Sequence, residues 1–136
     1  MQVDIITPEK VIFQGQADEI LVPTPGGQIG VLPHHITLLS QISDGEIVVK
    51  KGSTKQHIAV TGGFLEVGNN KATILADYAI ESDDIQEAKA KEAKERAEKL
   101  LEQKLSEEDF AEIQAQLRRS LLELKVAELK KHRKTS

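Results

Sequence analysis

Residues 83–134 read DDIQEAKAKEAKERAEKLLEQKLSEEDFAEIQAQLRRSLLELKVAELKKHRK, 52 residues without one Gly or Pro. All nine glycines and all four prolines lie in the first 82 residues. Ala, Glu, Lys, Leu and Arg dominate the later stretch, which is the composition of long helices. One break is expected at Lys104-Leu105-Ser106, because Ser106-Glu107-Glu108-Asp109 sets an N-cap hydroxyl three residues ahead of a carboxylate. The upstream helix is expected to start at Ser82-Asp83-Asp84, where the acids suit the positive end of the helix dipole. Two helices follow, over roughly 84–103 and 107–131.

Their apolar stripes differ in size. The first helix offers Ala90, Ala93, Ala97 and Leu100. The second offers Phe110, Ile113, Leu117, Leu121 and Leu124, with Leu122, Val126 and Leu129 in a strip beside them. An Ala side chain buries only a fraction of the ~1.5–3 kcal/mol available from a Leu or Ile. The pair is therefore expected to be weakly held, with apolar surface left over for another partner.

Working back from Asp83, residues 1–82 read as short strands between turn signals. Val3–Thr7 stops at Pro8, and Lys10–Gly15 follows. Ala17–Val22 stops at Pro23, after which Pro25-Gly26-Gly27 turns the chain. Gln28–Leu32 stops at Pro33, and Ile36–Ile42 runs to Asp44-Gly45. Glu46–Lys50 meets Lys51-Gly52-Ser53, and Gln56–Val60 returns to Gly62-Gly63. Phe64–Val67 and Lys71–Ala76 flank Gly68-Asn69-Asn70. Eight or more short strands at this spacing indicate an antiparallel sandwich or flattened barrel. No helical pattern separates them, which excludes a parallel α/β sheet. The expected fold is thus β followed by α. A β-sandwich domain spans 1–82 and a two-helix hairpin spans 83–136.

Charge and composition exclude several functions. Residues 1–82 carry five lysines against nine acids, whereas 83–136 balance thirteen basic groups with thirteen acids. Basic groups so mixed with acids form no nucleic-acid stripe, and the tail Lys130-Lys131-His132-Arg133-Lys134 suits a helix C-terminus. With no Cys, disulfides and thiolate metal sites are ruled out. No apolar run approaches the ~20 residues that span a bilayer, and Met1-Gln2-Val3-Asp4 begins no signal peptide.

No catalytic constellation emerges. Adjacent His34 and His35 on an extended chain point to opposite sides and cannot easily share a metal, so a metalloenzyme built on them and His57 is a remote alternative. Ser40, Ser43 and Ser53 lie in no nucleophile elbow. Gly26-Gly27-Gln28-Ile29-Gly30 precedes no helix, so it is no dinucleotide fingerprint. Gly62-Gly63 reads as a bulge or a close backbone approach. Arg118-Arg119 reads either as a solvated face or as a dock for an acidic partner.

Three segments carry a resemblance. Gly30-Val31-Leu32-Pro33-His34-His35-Ile36-Thr37-Leu38 resembles the G-I-L-P-G-H-x-P-L loop of the ε-subunit family of bacterial rotary ATP synthases (δ in mitochondria). Ala59-Val60-Thr61-Gly62-Gly63-Phe64-Leu65-Glu66-Val67 is similar to that family's A-V-S-G-G-F-L-E-V segment. Ala90-Lys91-Glu92-Ala93-Lys94-Glu95-Arg96-Ala97-Glu98 resembles its first C-terminal helix. The resemblance covers almost the whole chain. It implies a ten-stranded sandwich and a helical hairpin in a non-catalytic central-stalk subunit.

The implied partners are the γ subunit and the c-ring, with the catalytic α/β head contacted when the helices extend. The complex would hold the chain peripherally on the cytoplasmic face of the bacterial plasma membrane. Gln28, Leu32, His34 and His35 are the implied c-ring contacts. Arg118, Arg119, Leu122, Lys125, Val126 and Leu129 are the implied inhibitory contacts that oppose ATP hydrolysis. Nucleotide-facing positions in some members correspond to Ile85, Lys89, Ala90, Arg96 and Arg119. Gln86 and Lys89 stand where those members carry Asp and Arg, so no cofactor is expected and ATP should move the hairpin little. His34 and Thr37 replace a Gly and a Pro of the loop pattern, so a local change of backbone is expected there. From another class, the alternative is a free-standing sandwich adaptor whose helices bind an unrelated protein.

Overall fold

The computed structural model describes the backbone of Met1–Thr135 and side chains as far as Arg133. Ser136, the end of the expected 83–136 segment, lies outside the described residues, as do the side chains of Lys134 and Thr135. Ten strands form first: β1 (Gln2–Ile6), β2 (Val11–Gln16), β3 (Glu19–Thr24), β4 (Gly27–Val31), β5 (Leu38–Gln41), β6 (Gly45–Lys51), β7 (Thr54–Thr61), β8 (Phe64–Gly68), β9 (Lys71–Leu75) and β10 (Tyr78–Glu81). They make two five-stranded sheets, β2-β1-β9-β8-β5 and β10-β7-β6-β3-β4.

The sheets face each other across one apolar core. Val3 and Ile5, Leu65 and Val67, and Ala72 and Ile74 point inward from the first sheet. Ile20 and Val22, Ile47 and Val49, and Ile58 and Val60 answer from the second. The spacing of two within each pair is the strand period, so one face of each strand is apolar by sequence. Each fully buried Val, Ile or Leu stabilises the fold by about 1.5–3 kcal/mol.

All ladders are antiparallel except one: β1 runs parallel to β9, pairing Gln2 with Lys71 through to Ile6 with Leu75. No hairpin turn joins these two strands, so their direction is set by the rest of the sandwich.

After β10 a 3-10 turn at Ser82–Asp84 leads to α1 (Glu87–Leu101), and α2 (Glu107–Thr135) follows. The start of α1 departs from expectation by a few residues, for a visible reason. Ser82 is fully buried and its hydroxyl donates to Glu46 Oε2 at 2.7 Å, so it caps no helix. Gln86 occupies the N-cap in an extended conformation without a side-chain cap. The second cap forms as expected, with the Asp109 N–H donating to Ser106 Oγ at 3.2 Å. From there α2 continues beyond residue 131 to Thr135.

The chain divides into two compact units, Met1–Asp83 and the residues from Asp84 onward. In the second, α1 buries Ala90 and Ala97, and α2 buries Ser120, Leu122, Val126 and Ala127. The Ser120 hydroxyl donates to the Gln116 carbonyl at 3.0 Å, which satisfies a buried polar group within its own helix. The expected apolar surplus is therefore smaller than the sequence suggests. Leu122 and Val126 are already covered, while Phe110, Leu121 and Leu129 remain exposed.

Candidate interaction surfaces

The segment between β4 and β5 forms a tight, apolar-tipped turn. The His35 N–H donates to the Leu32 carbonyl at 3.1 Å, so Leu32-Pro33-His34-His35 closes as a β-turn. Pro33 fixes the second position, and His34 takes a φ of 63° at the third, the left-handed region that glycine favours. The Gly-to-His departure from the loop pattern thus requires no other backbone conformation. The His34 N–H donates to Asn70 Oδ1 at 2.9 Å, tying this turn to the β8–β9 turn. The ring of His35 turns back on its own loop, with Nδ1 donating to the Ile36 carbonyl at 2.7 Å. Leu32 and Ile36 point into solvent, and Gln28 is exposed on β4, three residues before the strand ends. Of the four positions implied for the c-ring, Leu32, His34 and His35 share one turn and Gln28 lies on the strand leading to it.

A second surface went unnoticed in the sequence. On the outer face of the first sheet, Val11 pairs with Ile6, Ile6 with Leu75, Leu75 with Phe64, and Phe64 with Gln41. Four apolar side chains from four strands therefore stand in one line across the sheet. Val11, Leu75 and Phe64 are 54%, 53% and 51% exposed, and Leu39 on β5 is 72% exposed one row away. Scattered exposed apolar residues are ordinary, but a contiguous line of them marks an interaction surface.

The adjoining row is polar: Gln14, Asp4, Thr73 and Glu66, then Leu39, are successive register partners. Asp4 is buried although it points outward, and it is fully satisfied there. The Gln2 amide donates to Oδ1 at 3.0 Å and the Lys71 ammonium lies 3.2 Å from Oδ2. The Gln2 hydrogen bond, followed by Lys71, holds the carboxyl below the usual carboxylate range against the upward push of burial.

On the helices, Lys131 Nζ donates to Glu87 Oε1 at 2.9 Å, joining the end of α2 to the first turn of α1. Glu87, with Glu128 further off at 3.8 Å, raises the Lys131 pKa above its ordinary value. Among the implied inhibitory positions, Leu129, Lys125, Arg118 and Arg119 are exposed while Leu122 and Val126 are buried. Arg118 and Arg119 already interact with neighbouring groups. Of the nucleotide positions, Ile85 and Ala90 are buried, whereas Lys89, Arg96 and Arg119 are exposed.

Among the described residues no group of three or more His, Asp or Glu side chains could hold an ion. His57 instead faces Glu46, Nδ1 to Oε1 at 3.2 Å, and that carboxylate also receives Ser82. Among the described residues no helix is long and apolar enough to cross a membrane.

Comparison with known proteins bears on these surfaces. Residues 1–82 match the family model of the β-sandwich domain of the ATP synthase delta/epsilon chain, and residues 83–128 match its long α-helix domain. An ATP synthase epsilon chain of Chloroflexus aggregans is 43% identical over 131 residues, covering 96% of this chain and 94% of the relative. One from Herpetosiphon aurantiacus is 37% identical over 133 residues, covering 98% of both. A chain in the OSCP/F1/c-ring structure of the Euglena gracilis mitochondrial ATP synthase superposes with a TM-score of 0.68 at 25% identity. That superposition covers 93% of this chain and 79% of the other.

Proposed function

The chain belongs to the ATP synthase delta/epsilon family, and from that premise we propose that it is a non-catalytic rotor subunit whose sandwich carries γ on one surface and meets the c-ring with another. It is a subunit of the central stalk of a rotary ATP synthase, with γ and the c-ring as its partners. The observation that carries the docking surface is the line Val11-Ile6-Leu75-Phe64, with Leu39 exposed in the next row. This apolar face is assigned to the γ shaft, since it gathers Val11, Leu39, Phe64 and Leu75, four of the exposed large apolar side chains of the sandwich.

The turn Leu32–His35, with Gln28, is assigned to the c-ring. Its apolar tip, Leu32 and Ile36, sits on a backbone held by the Asn70 hydrogen bond, which suits a contact against the polar loops of a membrane ring. The subunit thereby associates with the cytoplasmic face of the membrane through the complex. Residues 1–82 and 83–136 act as separate functional units. The helical unit restrains ATP hydrolysis when it extends toward the catalytic head, using Arg118, Arg119, Leu122, Lys125, Val126 and Leu129. No resident cofactor is assigned, nor is a nucleotide site at Ile85, Lys89, Ala90, Arg96 and Arg119.

The test is assembly. The tagged chain, co-expressed with γ and the c-ring, should retain both through purification. A Phe64→Asp, Leu75→Asp variant should lose γ while keeping its fold by circular dichroism. A Cys replacing His35 should crosslink to the c-ring. Retention of γ by the double variant would remove the proposed γ surface, and failure of Cys at Gln28, Leu32 and His35 alike in assembled enzyme would remove the ring assignment.

A further inference from the structure

Glu66 is the unusual member of the γ-facing surface. It points outward from β8, two residues along from Phe64 and directly across from Leu39. It is exposed, and its carboxylate makes no hydrogen bond or ion pair among the described residues. Asp4, in the same row, has its charge answered by Gln2 and Lys71. Lys71, the cation of β9 on this face, is therefore already engaged. The apolar side chains that flank Glu66 are the ones a partner must cover, and covering them removes water from the carboxylate as well. A carboxylate taken out of water without a counter-charge is strongly unfavourable, and one met by a cation and further hydrogen bonds is tolerated.

We propose that Glu66 is the charge anchor of this surface, receiving a basic side chain of γ between the contacts made by Leu39 and Phe64. An arginine fits best, since its planar fork meets a carboxylate through two parallel hydrogen bonds. This inference rests on the reading that the apolar line is the γ face. It adds the chemistry of the partner: an apolar strip on γ interrupted by one cation. The anchor also fixes register, because an apolar line alone lets a partner slide along it, while a desolvated pair has one position.

The experiment titrates the full-length chain, wild type or variant, onto a γ-containing catalytic head stripped of this subunit, at low and high salt. Glu66→Gln should weaken binding by roughly 30-fold or more, as expected when one member of a buried charge pair is removed. Glu66→Lys should weaken it further, and the salt dependence of the Gln variant should be shallower than wild type. Replacing the correct basic residue of γ by Glu should restore binding to Glu66→Lys. Because Glu66 is exposed, both variants should melt as the wild type does. Wild-type affinity and salt slope in both Glu66 variants, with binding still lost in Phe64→Asp, would overturn the anchor and leave the γ face standing. Unchanged binding by Phe64→Asp, or a dimer of the isolated chain that Phe64→Asp dissolves, would overturn the γ face and the anchor with it.

Discussion

Gly63 presses its backbone against that of Leu75 so closely that no side chain fits between them. A Cβ at Gly63 would stand 2.9 Å from Ala76 Cα and nearer still to the Leu75 carbonyl oxygen. The same residue holds a φ of 120°, and its carbonyl accepts the Ile42 N–H at 2.9 Å. Gly63→Ala therefore meets a backbone clash and a disfavoured φ together, and should cost about 3 kcal/mol. Urea unfolding of the full chain measures it, and a midpoint equal to wild type contradicts the steric argument. The neighbouring Phe64 ends the apolar line across the outer face, so the close approach also fixes where that line stops.

The opposite sign is expected at His34. A non-glycine residue in the left-handed region costs about 1–2 kcal/mol, while glycine loses roughly 0.5–1 kcal/mol more in chain entropy on folding. His34→Gly should therefore stabilise the protein by about 0.5 kcal/mol, read as a small rise in the urea midpoint. A loss of stability would mean that the imidazole contributes more than its backbone strain removes.

Asp4 makes stability depend on acid. Its folded pKa lies below the ordinary 3.8, so the unfolded chain takes up a proton first as the pH falls. The contribution is complete above the unfolded value and is lost as the pH drops through the folded one. At pH 7, Asp4→Asn should unfold at lower urea than wild type, and the gap should close below about pH 4. A gap of constant size from pH 7 to pH 3 would show that packing, rather than charge, is what the substitution removes.

Local signals were legible in the chain, and those that depend on distant pairing were not. Ser106 and Ser82 each precede acids, and both read as helix caps. Ser106 caps α2, but Ser82 gives its hydroxyl to Glu46, 36 residues away, and no local pattern announces that. The family loops and the order of sandwich and helices were readable because turn chemistry and helical composition are local. The parallel β1–β9 pair was not, since its strands are joined by most of the sandwich. The apolar line on the outer face of the first sheet escaped for the same reason. Val11, Ile6, Leu75 and Phe64 look like ordinary strand residues until register places them side by side. Leu122 and Val126 looked like surplus because helix periodicity ranks faces without saying which of them is covered.

The Ser82–Glu46 hydrogen bond sets the boundary at which the sandwich should stand alone. A fragment ending at Asp83 retains it and should show a cooperative thermal transition, as its core needs no residue beyond Ala79. A fragment ending at Glu81 loses a buried hydroxyl donor and should be about 1 kcal/mol less stable. Disorder in the longer fragment, seen by circular dichroism, would refute the independence of the two units.

The brake is where the helical unit's structure makes a directional prediction. Leu122 and Val126 are buried in the observed state, so their use on γ or the catalytic head requires that state to open. Phe110, Leu121 and Leu129 are exposed already and add to any surface gained on opening. The Lys131–Glu87 pair, 2.9 Å long, ties the two ends of the hairpin and opposes that change. Both groups are exposed, so the tie is weak and salt-sensitive, but a two-state element whose alternatives differ by a few kcal/mol responds to small biases. Glu87→Gln should then favour the extended state and deepen inhibition of ATP hydrolysis in the assembled enzyme, most visibly at low salt. Deleting residues 106–136 should raise hydrolysis and leave assembly and synthesis largely intact. Neutralising Arg118, Arg119 and Lys125 together should relieve inhibition in part. Added ATP should shift the hairpin of the isolated subunit little, because Gln86 and Lys89 replace the acid and the guanidinium of nucleotide-binding members. Hydrolysis rates indifferent to the deletion would dispose of the brake. A brake that Glu87→Gln weakens instead of deepening would place the inhibitory state in the closed hairpin, contrary to the direction argued from Leu122 and Val126.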